Sequence, residues 1–313
     1  MKPPRHPSRR LFIFVETKSW QCSVNGFVTM KIVDNIEEMR NLAESIRRDG
    51  KKIAFVPTMG YLHEGHLSLM RYGREIADVL VASIYVNPAQ FAPGEDFDQY
   101  PRDFERDREL SEEVGVDIIF TTTDEQMYPE GYQTYVEVKE VTKNLCGRSR
   151  PIFFRGVATV VTKLFNIVKP HVAIFGEKDY QQLVTIKRMV NDLNFGIEII
   201  GRPIVREPDG LAMSSRNAYL SKDERKSALS LSRSLKIAQE MVKRGEKSSS
   251  RIIDRVRKEI LSEPYTEIDY VQIVHPDTIT DVEEVTGGAL LALAVKVGKT
   301  RLIDNCMLVS VRS

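Results

Sequence analysis

Short apolar segments alternate with amphipathic segments over residues 30–203, and no other feature of the sequence restricts the fold as strongly. The apolar segments have the length and composition of buried strands and are KKIAFV (51–56), VLVASIYV (79–86), VDIIFT (116–121), HVAIF (171–175) and IEIIGRPIV (197–205). Strands that alternate with helices form a parallel sheet with helices on both faces. We therefore predict an α/β fold built on a doubly wound, Rossmann-like parallel sheet.

The amphipathic segments between these strands predict the covering helices. They are DNIEEMRNLAESIRR (34–48), HLSLMRYGREIA (66–77), residues 103–113, RGVATVVTKLFNIV (155–168) and DYQQLVTIKRMVNDL (179–193). Asp34 and Glu37 have the spacing of a capping box, which would begin the first helix. We predict that residues 30–203 form one domain.

The pattern changes after residue 203 and predicts a smaller α+β domain over residues 204–313. Ser221 and Glu224 form a second capping box, for a helix that runs toward Lys243. The further elements are a helix SRIIDRVRKEIL (250–261) and the strands IDYVQIV (268–274), ALLALAVKV (289–297) and TRLIDNCML (300–308). The tripeptide GKT (298–300) is predicted to be a hairpin turn and not a phosphate loop, because Leu293 occupies the position of the required first glycine.

Composition restricts the partners and the compartment. The 45 basic and 44 acidic residues give a formal net charge of +1, which disfavours nucleic acid and membrane surfaces and favours small molecules. Three cysteines, widely spaced, predict a reducing and therefore cytoplasmic location. The apolar stretch LFIFV near the start is too short for a signal peptide, so we predict that residues 1–29 are an extension that is disordered or lies outside the core.

Two histidines lie in a glycine-rich turn directly after the first predicted strand, in PTMGYLHEGHLSL (57–69). The first strand-to-helix turn of a doubly wound sheet is the usual phosphate site, and the unpaired amides of the following helix favour an anion there. We expect Gly60 and Gly65 to let the backbone approach a ligand. We expect His63 and His66 to donate hydrogen bonds to phosphate oxygens.

A metal site and a purely local structural role are the alternatives for this turn. The segment HEGH is one residue short of the zinc motif H-E-x-x-H and has no cysteine cluster nearby, so no metal ligand is predicted. Local hydrogen bonding of both imidazoles within the turn remains open at this point.

Charged side chains occupy two further places where a ligand would lie. FGEKDYQQL (175–183) puts Lys178 and Asp179 at the end of a predicted strand. GLAMSSRNAYL (210–220) carries Ser214, Ser215 and Arg216 on a loop between the domains, where they suit a mobile clamp on phosphates. The segments together predict a single phosphate site.

Amide side chains are predicted to bind a small polar substrate. Asn87 and Gln90 end the second strand in YVNPAQF (85–91), and Gln182 lies one helical turn beyond Lys178. Buried amides that pair with hydroxyl or carboxylate groups reject analogues that lack them. The sequence has no G-x-G-x-x-G and no G-x-S-x-G, which disfavours dinucleotide oxidoreductases and serine hydrolases.

The segments PTMGYLHEGHLSL, YVNPAQF, FGEKDYQQL and DGLAMSSRNAYL, in this order along the chain, together resemble the pantothenate synthetase family over residues 30–309. The histidine turn is similar to the HIGH signature of the nucleotidyltransferase superfamily, and AMSSR (212–216) is similar to its KMSKS loop. The resemblance implies an ATP-dependent ligase that joins pantoate to β-alanine through pantoyl adenylate, with Mg²⁺, as a homodimer. The alternatives are another nucleotidyltransferase of the superfamily acting on a phosphorylated alcohol, and a non-catalytic nucleotide-binding protein.

The resemblance also implies roles for individual residues. His66, described in the family as an acid, would be catalytic together with His63, Lys178 and Arg216. The implied ATP site consists of Met59, Gly60, Tyr61, Leu62, His63, Glu64, Gly65, His66, Gly176, Glu177, Lys178, Asp179, Val205, Met213, Ser214, Ser215 and Arg216. The implied substrate residues are Gln90 and Gln182, with Asn87 beside them. One departure is Phe153 in RPIFF (150–154), where the family pattern has a histidine, so no role is carried over to it.

Overall fold

A computed structural model of the chain describes residues 30–309. The predicted extension at residues 1–29 therefore lies outside the described residues. Six parallel strands form the main sheet: β1 (Lys31–Val33), β2 (Ile53–Thr58), β3 (Val79–Ile84), β4 (Ile118–Thr121), β5 (Val172–Gly176) and β6 (Glu198–Arg202). Their order in the sheet is β1-β4-β3-β2-β5-β6. The predicted doubly wound α/β fold is confirmed.

The helices of this sheet agree with the predicted segments, with two short additions. They are α1 (Ile36–Arg48), α2 (Glu64–Ile76), α3 (Phe104–Glu113), α4 (Asp124–Met127), α5 (Cys146–Ser149), α6 (Phe153–Val168) and α7 (Tyr180–Asp192). The predicted capping box of the first helix is wrong. The N-cap is Asn35, whose side chain accepts hydrogen bonds from the N–H groups of Glu37 and Glu38, so Asp34 lies one residue outside the cap.

Both faces of the sheet are buried, as a parallel sheet requires. Phe55 of β2 packs with α1, α6 and α7 on one face, and its neighbours in β2 pack with α2 and α3 on the other. Phe55 is fully buried, which stabilises the fold by about 1.5–3 kcal/mol relative to an exposed side chain. The edge strand β1 was not predicted, because its three residues are too few to show a pattern.

Strands β2 and β5 are neighbours, and this pairing places the site. The chain leaves β2 toward β3 on one side, while β5 lies on the other, with Phe55 opposite Ala173. The sheet order therefore reverses at β2, and ligands of such sheets bind beyond the carboxyl ends of strands at this point. The histidine turn follows β2 and the Lys178 turn follows β5.

The C-terminal part contains α8 (Lys222–Lys243), α9 (Ser249–Leu261), β7 (Thr266–Val274), β8 (Gly288–Val297) and β9 (Thr300–Val309). The strands form an antiparallel sheet in the order β7-β8-β9, and the helices bury an apolar cluster against it. The capping box of Ser221 and Glu224 begins α8, as predicted. Gly298 has a φ of +58° in the turn between β8 and β9, so the predicted hairpin is confirmed. Within residues 30–309 no helix has the length and apolar character to cross a membrane.

Candidate active site

A cavity of about 1170 Å³ opens at the carboxyl ends of β2 and β5. Its wall contains side chains from the parallel sheet, from the loop at residues 210–220 and from the C-terminal sheet. The predicted site residues that line it are Met59, His63, His66, Asn87, Gln90, Lys178, Asp179, Gln182, Ser214, Ser215 and Arg216. The structure thus brings all four sequence segments to one cavity.

The other predicted residues do not line this cavity. They are Gly60, Tyr61, Leu62, Glu64, Gly65, Gly176, Glu177, Val205 and Met213. Leu62 is fully buried in the apolar core, and Glu64 pairs with Arg71 on the surface of α2. The N–H of Met213 donates to the carbonyl of Val205 at 3.0 Å, which fixes the base of the loop. Their predicted contacts with ATP stay predictions.

His63 and His66 cap the helix that carries them. Nδ1 of His63 accepts a hydrogen bond from the N–H of Gly65 at 3.1 Å, and Nδ1 of His66 accepts one from the N–H of His63 at 3.3 Å. The two imidazoles therefore occupy the places of Ser and Glu in a capping box. The local structural role considered for the turn applies to one nitrogen of each ring.

The remaining nitrogen of each ring is available to a ligand. Because Nδ1 of His63 and of His66 accepts a hydrogen bond, the proton of the neutral ring is assigned to Nε2. Neither Nε2 has a hydrogen-bond partner among residues 30–309. Burial and then the charge of Lys178 lower the pKa of His63 to about 4. Burial also lowers the pKa of His66 well below its usual range, so both rings are neutral donors at neutral pH.

Several backbone N–H groups of this turn have partners within the protein and are therefore not free for a phosphate. Asp107 of α3, which is 1% exposed, accepts hydrogen bonds from the N–H groups of Tyr61 at 2.7 Å and Leu62 at 2.6 Å. Those of His63 and Gly65 bind the imidazoles described above. The Nε2–H groups of His63 and His66 are therefore the side-chain donors that this turn can offer to an anion, and the expected contact of the helix amides stays a prediction.

Asp107, which was not predicted from the sequence, supports the histidine turn. It holds a turn in which Gly60 has a φ of +81° and Tyr61 a φ of +49°. Burial raises the pKa of Asp107, although the two backbone N–H groups and Arg106 favour the carboxylate. Within the charged segment RDFERDREL (102–110) nothing distinguishes it from solvated neighbours. Only its position on the buried side of α3 could have revealed it.

Lys178 lies in a short 3-10 turn, Glu177–Asp179, between β5 and α7. Its side chain is 21% exposed, and its Nζ lies 3.8 Å from Oδ2 of Asp179. The charge of Lys178 also lowers the pKa of His63 and His66, so all three side chains share one electrostatic environment. The turns that follow β2 and β5 therefore place His63, His66 and Lys178 in the same cavity.

Arg216 makes a two-pronged ion pair with Asp96. Its Nε lies 2.7 Å from Oδ2 and its Nη2 lies 2.9 Å from Oδ1. Ser215, next to it, donates a hydrogen bond to the carbonyl of Tyr61 at 3.2 Å, which ties the loop at residues 210–220 to the histidine turn. Asp96 was not predicted, since the polar loop GEDFDQYP (94–101) has no pattern that marks one carboxylate.

The amide residues form a network with a fixed direction. The hydroxyl of Tyr128 donates to Oδ1 of Asn87 at 2.7 Å, and Nδ2 of Asn87 donates to Oε1 of Gln90 at 3.1 Å and to the carbonyl of Gly156 at 3.2 Å. Asn87 is 1% exposed and makes its hydrogen bonds inside the protein. Gln90 therefore turns its NH2 group outward, toward Sδ of Met59 at 3.1 Å and the cavity.

Gln181 and Gln182 have different roles. The side chain of Gln181 accepts from the N–H of Cys146 at 3.0 Å and donates to two carbonyls, so it supports the wall of the cavity. The side chain of Gln182 lines the cavity and has no hydrogen-bond partner among the described residues. Gln182 is thus available to a substrate, and its predicted contact with one stays a prediction.

Phe153 packs against Arg150, which lies beside Gln90. The guanidinium of Arg150 lies 4.1 Å from the centre of the Phe153 ring. Arg150 also donates to Oε1 of Glu95 at 2.7 Å and to the carbonyl of Gln90 at 3.1 Å. Glu95, a third carboxylate that was not predicted, therefore holds Arg150 next to Gln90.

Two neutral imidazoles, a lysine and an arginine line one cavity at the point where the strand order of the sheet reverses, and this arrangement suits an enzyme that binds a nucleoside triphosphate. Residues 31–307 match the family model described as pantoate-beta-alanine ligase. The chain belongs to this family, and the prediction of an ATP-dependent ligase is confirmed.

Curated relatives and solved structures agree with this assignment. The chain is 60% identical to the pantothenate synthetase of Desulfatibacillum aliphaticivorans over 89% of the chain and 99% of that protein. It is 61% identical to that of Syntrophobacter fumaroxidans over the same shares of each chain. The crystal structure of pantothenate synthetase from Thermus thermophilus has a TM-score of 0.84 at 45% identity, covering 88% of this chain and 99% of that one.

A pantoate-beta-alanine ligase from Francisella tularensis, complexed with beta-gamma ATP and beta-alanine, has a TM-score of 0.73 at 33% identity. The comparison covers 89% of this chain and 97% of that structure. These proteins favour the ligase over the alternative of a transferase for phosphorylated alcohols.

Proposed function

We propose that this chain joins pantoate to β-alanine with ATP, through a pantoyl adenylate formed in the cavity at the ends of β2 and β5. One observation carries the proposal: the two histidines and the side chains of Lys178, Arg216, Gln90 and Gln182 all line that cavity. The family match gives the reaction, and the shared cavity supports its place.

The first step needs positive charge around the nucleotide. A carboxylate oxygen of pantoate attacks the α-phosphorus of ATP, the bond from that phosphorus to the bridging oxygen breaks, and pyrophosphate leaves. Both reactants are anions, so groups that stabilise the growing charge accelerate the step. In this proposal Lys178 and Arg216 supply charge, and His63 and His66 supply Nε2–H donors. We assign His66 the role of a neutral hydrogen-bond donor, because its lowered pKa disfavours the charged imidazolium form.

The second step transfers the acyl group. The amine of β-alanine attacks the acyl carbon of the adenylate, the bond from that carbon to the phosphate oxygen breaks, and AMP leaves as the amine loses a proton. In this proposal Gln90 donates from its NH2 group to pantoate, and Gln182, which also lines the cavity, binds pantoate too. Asn87 orients Gln90 and does not touch pantoate, because it is buried and its hydrogen bonds are all internal.

Mg²⁺ is proposed to arrive with ATP. Among residues 30–309 no group of three or more His, Cys, Asp or Glu side chains could hold a metal ion. Mg²⁺ that is bound to substrate phosphates usually has only one or two protein carboxylates as ligands, because water and phosphate oxygens complete its shell. Asp179 lines the cavity and is a carboxylate that would fit this mode, in which Mg²⁺ would offset phosphate charge.

We also propose the organisation implied by the sequence: a nucleotide- and pantoate-binding domain over residues 30–203, a smaller domain over residues 204–313, a homodimer and a cytoplasmic location. Separate apolar cores in the two parts support the division. The free thiols of Cys146 and Cys306 fit a reducing compartment.

The activity is tested with purified protein, ATP, pantoate, β-alanine and Mg²⁺. We expect AMP, pyrophosphate and pantothenate in equal amounts, and pyrophosphate without AMP in a single turnover that lacks β-alanine. Lys178→Ala serves as the impaired comparison and should slow adenylate formation by at least about 100-fold. Absence of AMP from the unmodified protein would refute the proposal. A stable nucleotide-linked product that ignores β-alanine would support the other transferase instead.

A further inference from the structure

Asn305 of β9 holds the backbone on both sides of Lys178. Its Nδ2 donates to the carbonyl of Glu177 at 2.9 Å and to the carbonyl of Lys178 at 2.9 Å. These carbonyls belong to the two peptide planes that flank the Cα of Lys178. Because one planar amide binds both, it restricts φ and ψ of Lys178 together. Asn305 is 7% exposed, so water competes little for these hydrogen bonds.

The preceding residue, Asp304, holds the other charged segment of the cavity. Its carboxylate makes a two-pronged ion pair with Arg206, at 2.7 Å and 2.9 Å, and is 2% exposed. Arg206 also donates to the carbonyl of Gly210 at 3.2 Å and forms an isolated β-bridge with Ala212. The pair therefore fixes the base of the loop that carries Arg216.

The two anchors are linked to each other. The N–H of Asn305 donates to Oδ1 of Asp304 at 2.8 Å. Strand β9 pairs along its whole length with β8, opposite Leu293 at Asp304 and opposite Ala292 at Asn305. A residue in a paired strand has little freedom to move, so β9 gives both charged segments a rigid common reference.

We propose that Asp304 and Asn305 are positioning residues for adenylate formation: Asn305 sets the backbone of Lys178, and Asp304 sets the loop of Arg216 through Arg206. The inference rests on the proposed function and names how its two cationic groups keep their spacing. Misplacement of a catalytic group by about 1 Å can cost about 100-fold in rate, which is the scale on which such anchors act.

The proposed role of Asn305 is tested with Asn305→Ala and Asn305→Asp. Loss of the amide should slow single-turnover pyrophosphate release by about 10- to 100-fold. Asn305→Asp should be at least as slow, because its carboxylate oxygens would face two carbonyl oxygens. The KM for pantoate should stay within about 2-fold, since Gln90 and Gln182 do not contact this anchor. Asn144→Ala is the matched control, because Asn144 also ties two distant segments, through the carbonyl of Ile279 at 2.8 Å.

A double-mutant cycle separates positioning from general support of the fold. If Asn305 acts through Lys178, then Asn305→Ala should add less than about 2-fold to the loss in Lys178→Ala, because coupled residues are not additive. A full additional loss in that background would overturn the inference. Loss of thermal stability without a change in single-turnover rate would overturn it as well.

The proposed role of Asp304 is tested with Arg206→Lys, which keeps the positive charge beside Asp304 and removes the two-pronged contact. We expect about a 10-fold slower adenylate formation, and no further loss when Arg216→Ala is present. An unchanged rate in Arg206→Lys would remove Asp304 from the proposal. The unmodified protein is assayed beside each variant. If it forms no AMP, the proposed function fails; if it forms AMP and Asn305→Ala retains its rate, only this inference fails.

Discussion

Nδ1 of His66 accepts a hydrogen bond from the backbone N–H of His63, and the centres of the two rings lie 4.1 Å apart. Each imidazole thus commits one nitrogen to the start of α2 and leaves the other to the cavity. A substitution that removes a whole ring changes the helix cap and the ligand contact together. The predictions for this pair therefore separate the two roles.

The free energy of unfolding should depend on pH through His63. Its pKa is lowered to about 4 in the folded protein, first by burial and then by Lys178, whereas an unfolded histidine has a pKa near 6.5. Between these values the unfolded state binds more protons, so stability rises with pH. The contribution of His63 is complete above a pH of about 6.5 and is lost as the pH falls to about 4.

Urea denaturation from pH 4 to pH 8 measures this dependence. His66, whose pKa is also lowered by burial, should add to it in the same direction. His63→Asn should have a smaller slope over the window than the unmodified protein. Equal slopes in the two proteins would show that His63 is not held neutral by the fold.

His63→Asn should also separate capping from catalysis. Asparagine is among the best N-cap residues, since its Oδ1 can accept the N–H of Gly65 as Nδ1 of His63 does. It lacks the outer Nε2–H donor. We expect stability at pH 8 to change by less than about 1 kcal/mol, while single-turnover adenylate formation slows by about 100-fold. A variant that keeps its rate would show that His63 serves only the helix.

Much of the fold could be predicted from the sequence, because strand and helix patterns are local and the order of a doubly wound sheet follows general rules. The capping box at Ser221 was found correctly and the one at Asp34 was not. Asn35 and Asp34 are both good N-cap residues, so residue type alone does not decide between them.

The site could be predicted only where its chemistry is local in sequence. The histidine turn and Lys178 each follow the end of a predicted strand, and Arg216 lies in a serine-rich loop that begins with a glycine. Asp107, which accepts hydrogen bonds from the N–H groups of Tyr61 and Leu62, lies 46 residues from Tyr61 in the sequence. Pairing of such distant residues has no signal in a single sequence, since it depends on how α3 packs beside the turn.

The position of the His63 ring should depend on the absence of a side chain at Gly65. A Cβ at this position would lie 2.8 Å from Cε1 and from Nδ1 of His63, closer than real contacts permit. We predict that Gly65→Ala displaces the ring and lowers kcat/KM for ATP by at least about 10-fold, with the protein still folded. Steady-state kinetics and circular dichroism measure the two effects.

Gly287→Ala is the control for that substitution, because a Cβ there would meet no atom within 4 Å. It should retain the kinetics of the unmodified protein. Normal kcat/KM for ATP in Gly65→Ala would mean that the ring can shift freely, and the assigned position of His63 would then be incorrect.

Tyr128 should affect pantoate without touching it. Its hydroxyl donates to Oδ1 of Asn87 at 2.7 Å, and Asn87 in turn directs the amide of Gln90. Tyr128→Phe leaves Oδ1 of Asn87 with only the longer bond from Ala89, at 3.3 Å, so the amide can rotate. A hydrogen bond contributes about 0.5–1.5 kcal/mol, which corresponds to a rise of about 2- to 12-fold in the KM for pantoate.

The KM for ATP should stay constant in Tyr128→Phe, because Tyr128 does not line the cavity. Tyr132→Phe is the matched control: its ring packs edge-on against Tyr128, 5.1 Å away, and its hydroxyl has no hydrogen-bond partner among residues 30–309. That variant should behave as the unmodified protein does. A KM for pantoate that rises equally in both variants would trace the effect to ring packing, and an unchanged KM in Tyr128→Phe would show that Asn87 orients Gln90 unaided.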